Sequence, residues 1–203
     1  MTEKELTVHP LGPAQERDPG LEDAFRELHG SRLHGFAMLV TLGESQSAGQ
    51  AAGEALAAGA EQATKLRHPE RAAAWLRART LRALQHGGSR RETVPDSARR
   101  AVLATLGVDE AVYRGLAALS IEARAGLVAS AIERFEPIDI ETILGSAPSA
   151  TRRVIADARG RYLRVLANLH PGQPGGLPDF PDGALASRVR AVAAWALSGG
   201  PAT

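Results

Sequence analysis

An all-α fold is predicted by three features of this 203-residue chain: alanine dominates its apolar content, aromatics are scarce, and apolar residues recur at helical spacing between Gly and Pro breaks. Hydrophobic residues make up 44% and charged residues 23%, the balance of an ordinary globular protein. Phe 4, Trp 2 and Tyr 2 leave little of the material that favours strands. Alanine loses no side-chain entropy in a helix, so the composition excludes a β-sandwich or barrel. The length suits one domain or two small ones.

Residues 1–20 are polar and rich in Pro and Gly, without the apolar run of a secretory signal, and read as a disordered leader. Helical patterning starts at Leu21, and Phe25, Leu28, Leu33, Phe36, Leu39 and Val40 keep its spacing as far as Leu42-Gly43. Ser45 or Ser47 caps a second helix running to about Leu66. Gly49, Gly53 and Gly59 each weaken it by about 0.8–1 kcal/mol, so it needs a partner. Pro69 opens a third helix that reaches Gln85, in which an apolar stripe carrying Trp75 opposes an Arg-rich face. His86-Gly87-Gly88-Ser89 ends it.

The second half repeats this punctuation. A helix from Ser97 to Leu106 stops at Gly107, Asp109 caps one that reaches Leu119, and Ser120 caps one over 121–135. Pro137 breaks that helix, a short one covers Asp139–Leu144, Gly145 turns the chain, and a last helix runs from Pro148 to Leu169. Helix, Gly-containing turn and Arg-bearing helix form a helix-turn-helix pattern. The expected organisation is therefore two helical domains, 21–88 and 97–169, joined by a basic linker at 89–96. Residues 170–182 form a Pro/Gly linker, and 183–203 a C-terminal helix and tail with Leu185, Val189, Val192 and Trp195 on one side.

A formal net charge of +1 hides a segregated charge pattern. Residues 65–100 carry ten basic and three acidic side chains, and 142–166 carry five Arg against Asp157. Residues 1–30 and 101–141 each carry three basic and seven acidic ones. Two basic blocks suit two polyanion-facing modules, although solvated helix faces produce the same pattern.

Two stretches together resemble the extracytoplasmic-function class of bacterial RNA polymerase sigma factors. AFRELHGSRLHGFAMLV, the Ala-rich helix and HPERAAAWLRARTLRAL are similar to sigma region two. LAALSIEARAGLVASAIERF, IDIETILG and SAPSATRRVIADARGRYL are similar to region four. The resemblance covers about residues 21–166. It implies a transcription initiation factor that binds core RNA polymerase and promoter DNA, with an anti-sigma or other regulatory protein as a further partner. DNA contacts would fall to Arg77, Arg79 and Arg82 at the −10 side, and to Ser149, Thr151, Arg152, Arg153 and Arg159 at the −35 side. Arg90 and Arg91 would follow phosphates, and Gln50 and Glu54 would meet the polymerase.

Several positions depart from the family pattern. Gly49, Gln50 and Gly53 stand where the clamp-binding run is acidic or Gln, and the Asn usual after Trp75-Leu76 is absent. Asp139-Ile140-Glu141 replaces Glu-Ile-Ala, and Val154 and Asp157 replace cations. These changes keep open an alternative, a sigma-fold interaction module or transcription regulator that has lost autonomous promoter binding.

Other chemistry finds little support. Without Cys there is no thiol nucleophile, disulfide or Cys-ligated zinc. His29 and His34 lie five apart, off the i,i+4 spacing of helical metal ligands. No phosphate-binding Gly loop or nucleophile elbow occurs, so no enzyme activity, cofactor or metal is expected. With no apolar run of membrane-spanning length, the expected location is the cytoplasm.

Overall fold

The computed structural model describes residues 19–62, 65–66, 68–87 and 94–169. Residues 1–18 of the expected leader, most of the linker and everything after Leu169 lie outside the described residues, while Pro19 and Gly20, the last two of that leader, are helical. Eight α-helices are present among the described residues: α1 (Pro19–Thr41), α2 (Ser45–Ala60), α3 (Pro69–His86), α4 (Asp96–Thr105), α5 (Glu110–Ala117), α6 (Ile121–Leu127), α7 (Pro137–Leu144) and α8 (Pro148–Leu169). No strand occurs among them. No helix among them is long and apolar enough to cross a membrane.

The helix ends obey local chemistry. Asp109 accepts a hydrogen bond from the Val112 N–H at 2.8 Å, and Ser120 Oγ accepts from the Ala123 N–H at 3.2 Å. Each thereby satisfies an amide that the helix itself cannot. Pro69 and Pro137 occupy first-turn positions, where their missing N–H is no loss. Two expected helices differ. The second ends at Ala60 rather than near Leu66. The one expected over 121–135 changes at Val128 into a π-helical turn, Val128–Ile132, whose Glu133 N–H reaches back to the Val128 carbonyl.

The helices expected as two modules share one core. A single apolar cluster runs from Phe25 and Leu33 in α1 through Leu76 and Leu81 in α3 to Leu127, Ile143 and Tyr162. Within it α1, α2 and α3 pack on one another, α8 packs on α5 and α6, and α7 lies along α3. The stretches 21–88 and 97–169 meet at a seam within that cluster. Tyr162 docks α8 so closely on Gly115 that a Cβ there would lie 2.4 Å from its ring.

Three guanidinium groups cross that seam. Arg77 of α3 meets Glu133, Arg99 of α4 meets Glu44 at 2.7 Å, and Arg124 of α6 donates to the Val40 carbonyl at the end of α1. Gly43, at φ +83°, lets α4 close on the turn before α2, since a Cβ would stand 2.6 Å from the Arg99 carbonyl oxygen.

Arg77 is 2% exposed. Its Nε donates to Glu133 Oε2 at 2.5 Å, its Nη2 donates to Oε1, and its Nη1 donates to the Ala73 carbonyl at 3.0 Å. The guanidinium lies 4.9 Å from the ring centre of Phe135 and 5.7 Å from that of Phe36. Removing one partner strands the other as a buried charge. Arg77→Ala or Glu133→Ala alone should destabilise the chain by about 3–5 kcal/mol, whereas Arg77→Met with Glu133→Leu should recover much of that loss. Urea denaturation of the three variants checks this, and equal losses in all three would refute it.

His29 and His34 are both held below the ordinary imidazole value of 6.5. Burial acts first on each, and Arg77 and Arg32 add to it at His29. The unfolded chain then binds more protons than the folded one as pH falls below 6.5. The stability contributed by neutral imidazoles is complete above that value and is lost on acidification. Thermal melts should show a midpoint that falls between about pH 7 and about pH 5, less steeply in His34→Gln.

Candidate nucleic-acid interface

The turn between α7 and α8 is closed by backbone chemistry. Gly145 adopts φ +61° and ψ +34°, the left-handed conformation that costs other residues about 1–2 kcal/mol. The Ser146 N–H then reaches the Glu141 carbonyl at 3.2 Å, and the Gly145 N–H reaches Thr142 at 3.3 Å. This is the hydrogen-bond pattern of a Schellman stop. Three residues later α8 begins.

In α8, Thr151, Ala158, Tyr162 and Leu166 are buried, while Ile155 is partly buried against the core. Ser149, Arg152, Arg153, Arg159, Arg161 and Arg164 are exposed. Arg152, Arg153, Arg161 and Arg164 form no ion pair among the described residues, and Asp157 is the acid exposed among them. This face offers guanidinium donors to solvent along about four turns. Cations on such a face bind phosphate by displacing condensed counterions.

Thr151 does not belong to it. It is 3% exposed, its Oγ1 lies 2.8 Å from Ser146 Oγ, and its N–H is bonded to Ala147. The expected base contact is corrected to a structural one, because Thr151 falls in line with Ala158 and Tyr162. Arg161 and Arg164 stand outside the expected set. Arg164 lies eleven residues beyond Arg153, just over three helical turns, and that period was the available signal.

A second cationic face lies on α3. Arg71, Arg79 and Arg82 are exposed, and Trp75 is half-buried between them. The Arg79 guanidinium lies 5.7 Å from the centre of the Trp75 ring. Trp75 thus shares the Arg face instead of opposing it, as the sequence pattern suggested. Arg82 Nε donates to the Ala78 carbonyl at 3.3 Å. Arg77, expected among these DNA contacts, is corrected: it points into the seam and its donors are taken by Glu133 and Ala73. Arg90 and Arg91 lie outside the described residues.

Other arginines of the first basic block are bound internally. Arg99 holds Glu44, and Arg100 holds both Asp96 and Glu110. The Tyr113 hydroxyl and Arg100 together keep the Asp96 carboxyl below its ordinary range. On α2, Gln50 Nε2 donates to Glu54 Oε1 at 3.0 Å. Both are exposed and line a recess of about 380 Å³ between α2 and the end of α3. No cluster of His, Asp and Glu among the described residues could hold a metal ion.

The roles assigned to Gly145 and Thr151 can be checked by melting curves. Gly145→Ala should cost about 1–2 kcal/mol through its backbone alone. Thr151→Val, which keeps the shape and deletes the hydroxyl, should cost about 1 kcal/mol. A Thr151→Val chain that keeps its stability but loses DNA affinity would return Thr151 to the interface.

Comparison with protein-family models, with curated proteins and with solved structures finds no match.

Proposed function

We propose that this chain is a sigma-like transcription factor that meets duplex DNA with the exposed arginine face of α8. The supporting observation is the pairing of a glycine-closed helix–turn–helix with a helix whose outward side carries Arg152, Arg153, Arg161 and Arg164. Such a helix fits the major groove, where side chains of its first turns reach base edges and later cations follow phosphates. The stripe Arg71, Trp75, Arg79 and Arg82 supplies a second surface, with the ring and cation chemistry that unstacked bases favour. Core polymerase would be met through Gln50 and Glu54.

A second reading is favoured by Arg77 and the shared core. With that guanidinium inside the seam, the −10 side lacks one of its three expected cations, and the halves present their faces from one body. In this reading the chain is a regulator that works through protein contacts and does not bind promoters by itself.

Fluorescence anisotropy against duplex DNA at two salt concentrations separates the two. The DNA reading expects binding that weakens steeply with salt. Arg152→Gln with Arg153→Gln should lower the magnitude of the log–log salt slope by about 2. Absence of binding at low salt, combined with capture of core polymerase that Glu54→Arg abolishes, would establish the regulator instead.

A further inference from the structure

The seam contains a cleft that the DNA reading does not use. Its volume is about 440 Å³, and it opens between α1, α3, α7 and the turn that follows the π-helical segment. That is the size range of small-molecule sites.

One end of the cleft is built from α1. His29 is 6% exposed, touches the Phe25 ring with centres 4.7 Å apart, and lines the cleft. Its imidazole makes no hydrogen bond among the described residues. Its ring nitrogens are not sealed from solvent, so a ligand group entering the cleft can bond to them in place of water. Burial and the nearby Arg77 and Arg32 keep the ring neutral at physiological pH, leaving one nitrogen as donor and one as acceptor. Arg32, exposed one turn further along α1, stands beside it in the lining.

The walls from α3 and α7 carry carboxylates, Glu70 and Asp139. The Asp139 carboxylate makes no hydrogen bond or ion pair among the described residues, its N–H alone being bonded, to the Glu136 carbonyl. Burial together with Glu70 and Glu136 raises its carboxyl above the ordinary range, and Arg71 offsets this only in part. Carboxylates crowded in this way favour an incoming cation. Leu28 is 59% exposed in the wall and Phe135 is half-buried. Ile138, 66% exposed, precedes Asp139 in the chain. Leu28 and Ile138 are the large exposed apolar residues among those described. Arg134, at φ +57°, holds the strained left-handed conformation at the same rim, and non-glycine residues kept there concentrate at binding sites.

We propose that this cleft binds a small zwitterion with an apolar side chain, an α-amino acid or dipeptide, with its carboxylate on His29 and Arg32 and its ammonium on Asp139 and Glu70. The apolar side chain lies along Leu28 and Phe135. Because the ligand touches α1 from one half and α7 from the other, its binding holds the seam shut and raises the melting temperature with ligand concentration.

Calorimetry and thermal melts of the full chain with the dipeptide leucyl-leucine test the assignment. Removing the ammonium (N-acetyl-leucyl-leucine) or the carboxylate (leucyl-leucinamide) should weaken binding about tenfold or more, as loss of a charged hydrogen bond does. Asp139→Asn and Arg32→Gln should each weaken leucyl-leucine by a similar factor, with the unliganded melting temperature kept in Arg32→Gln and not lowered in Asp139→Asn, where a crowded charge is removed. Both residues sit at the edge of the cleft, so neither substitution opens the core. No binding of leucyl-leucine at millimolar concentration would overturn the proposal. So would equal binding of the two blocked peptides, or full affinity in both variants. DNA affinity is a separate readout, and its presence or absence does not bear on this test.

Discussion

A guanidinium removed from water has to be met by a carboxylate and by the faces of rings, and Arg77 obtains both from the other half of the chain. Glu133 must end its helix at the right height, Phe135 must follow it, and α7 must then lie along α3. None of these placements is optional once Arg77 is inside. The Coulomb gain of such a pair is largely offset by desolvation, so its contribution is to geometry more than to stability. It selects one arrangement of the halves among the many that an alanine-rich surface would tolerate.

The charge segregation of the chain resolves into two populations. One set of arginines, Arg77, Arg99, Arg100 and Arg124, is bound to carboxylates or carbonyls and knits the body together. The other set stands on the outer sides of α3 and α8 with solvent in front of it. Within the first set the buried Arg77 is weakly screened, while Arg100 and its exposed partners respond to salt as the second set does. A phosphate chain therefore competes with bulk counterions for the second set, and the seam is left undisturbed.

Helix positions were legible because Gly, Pro, Ser and Asp act over three or four residues: Pro69, Asp109, Ser120 and Gly145 each punctuate where expected. The two misplaced contact residues share one cause. Arg77 lies on the helical line of Ala73 and Leu81, and Thr151 on the line of Ala158 and Tyr162, so both sit on apolar stripes. Position carried the right answer and residue type obscured it. The seam itself had no local signature, because Arg77 and Glu133 are 56 residues apart and nothing near either names the other. The exposed Arg152 and Arg153 were legible, since no large apolar residue shares their side of α8 over the first turns.

The π-helical turn at Val128–Ile132 has a consequence for how this chain tolerates change in length. A segment bonded five residues back holds more residues per turn than the α-helix before it, so everything downstream is rotated relative to a regular continuation. Loss of a single residue there would let the Glu133 N–H meet the Val128 carbonyl as an ordinary α-helical bond, with Glu133 aimed much as before. The same loss inside a regular α-helix would swing every side chain that follows by about 100°. These five residues are therefore the place in the helix where one codon can be removed at the least cost to what lies downstream.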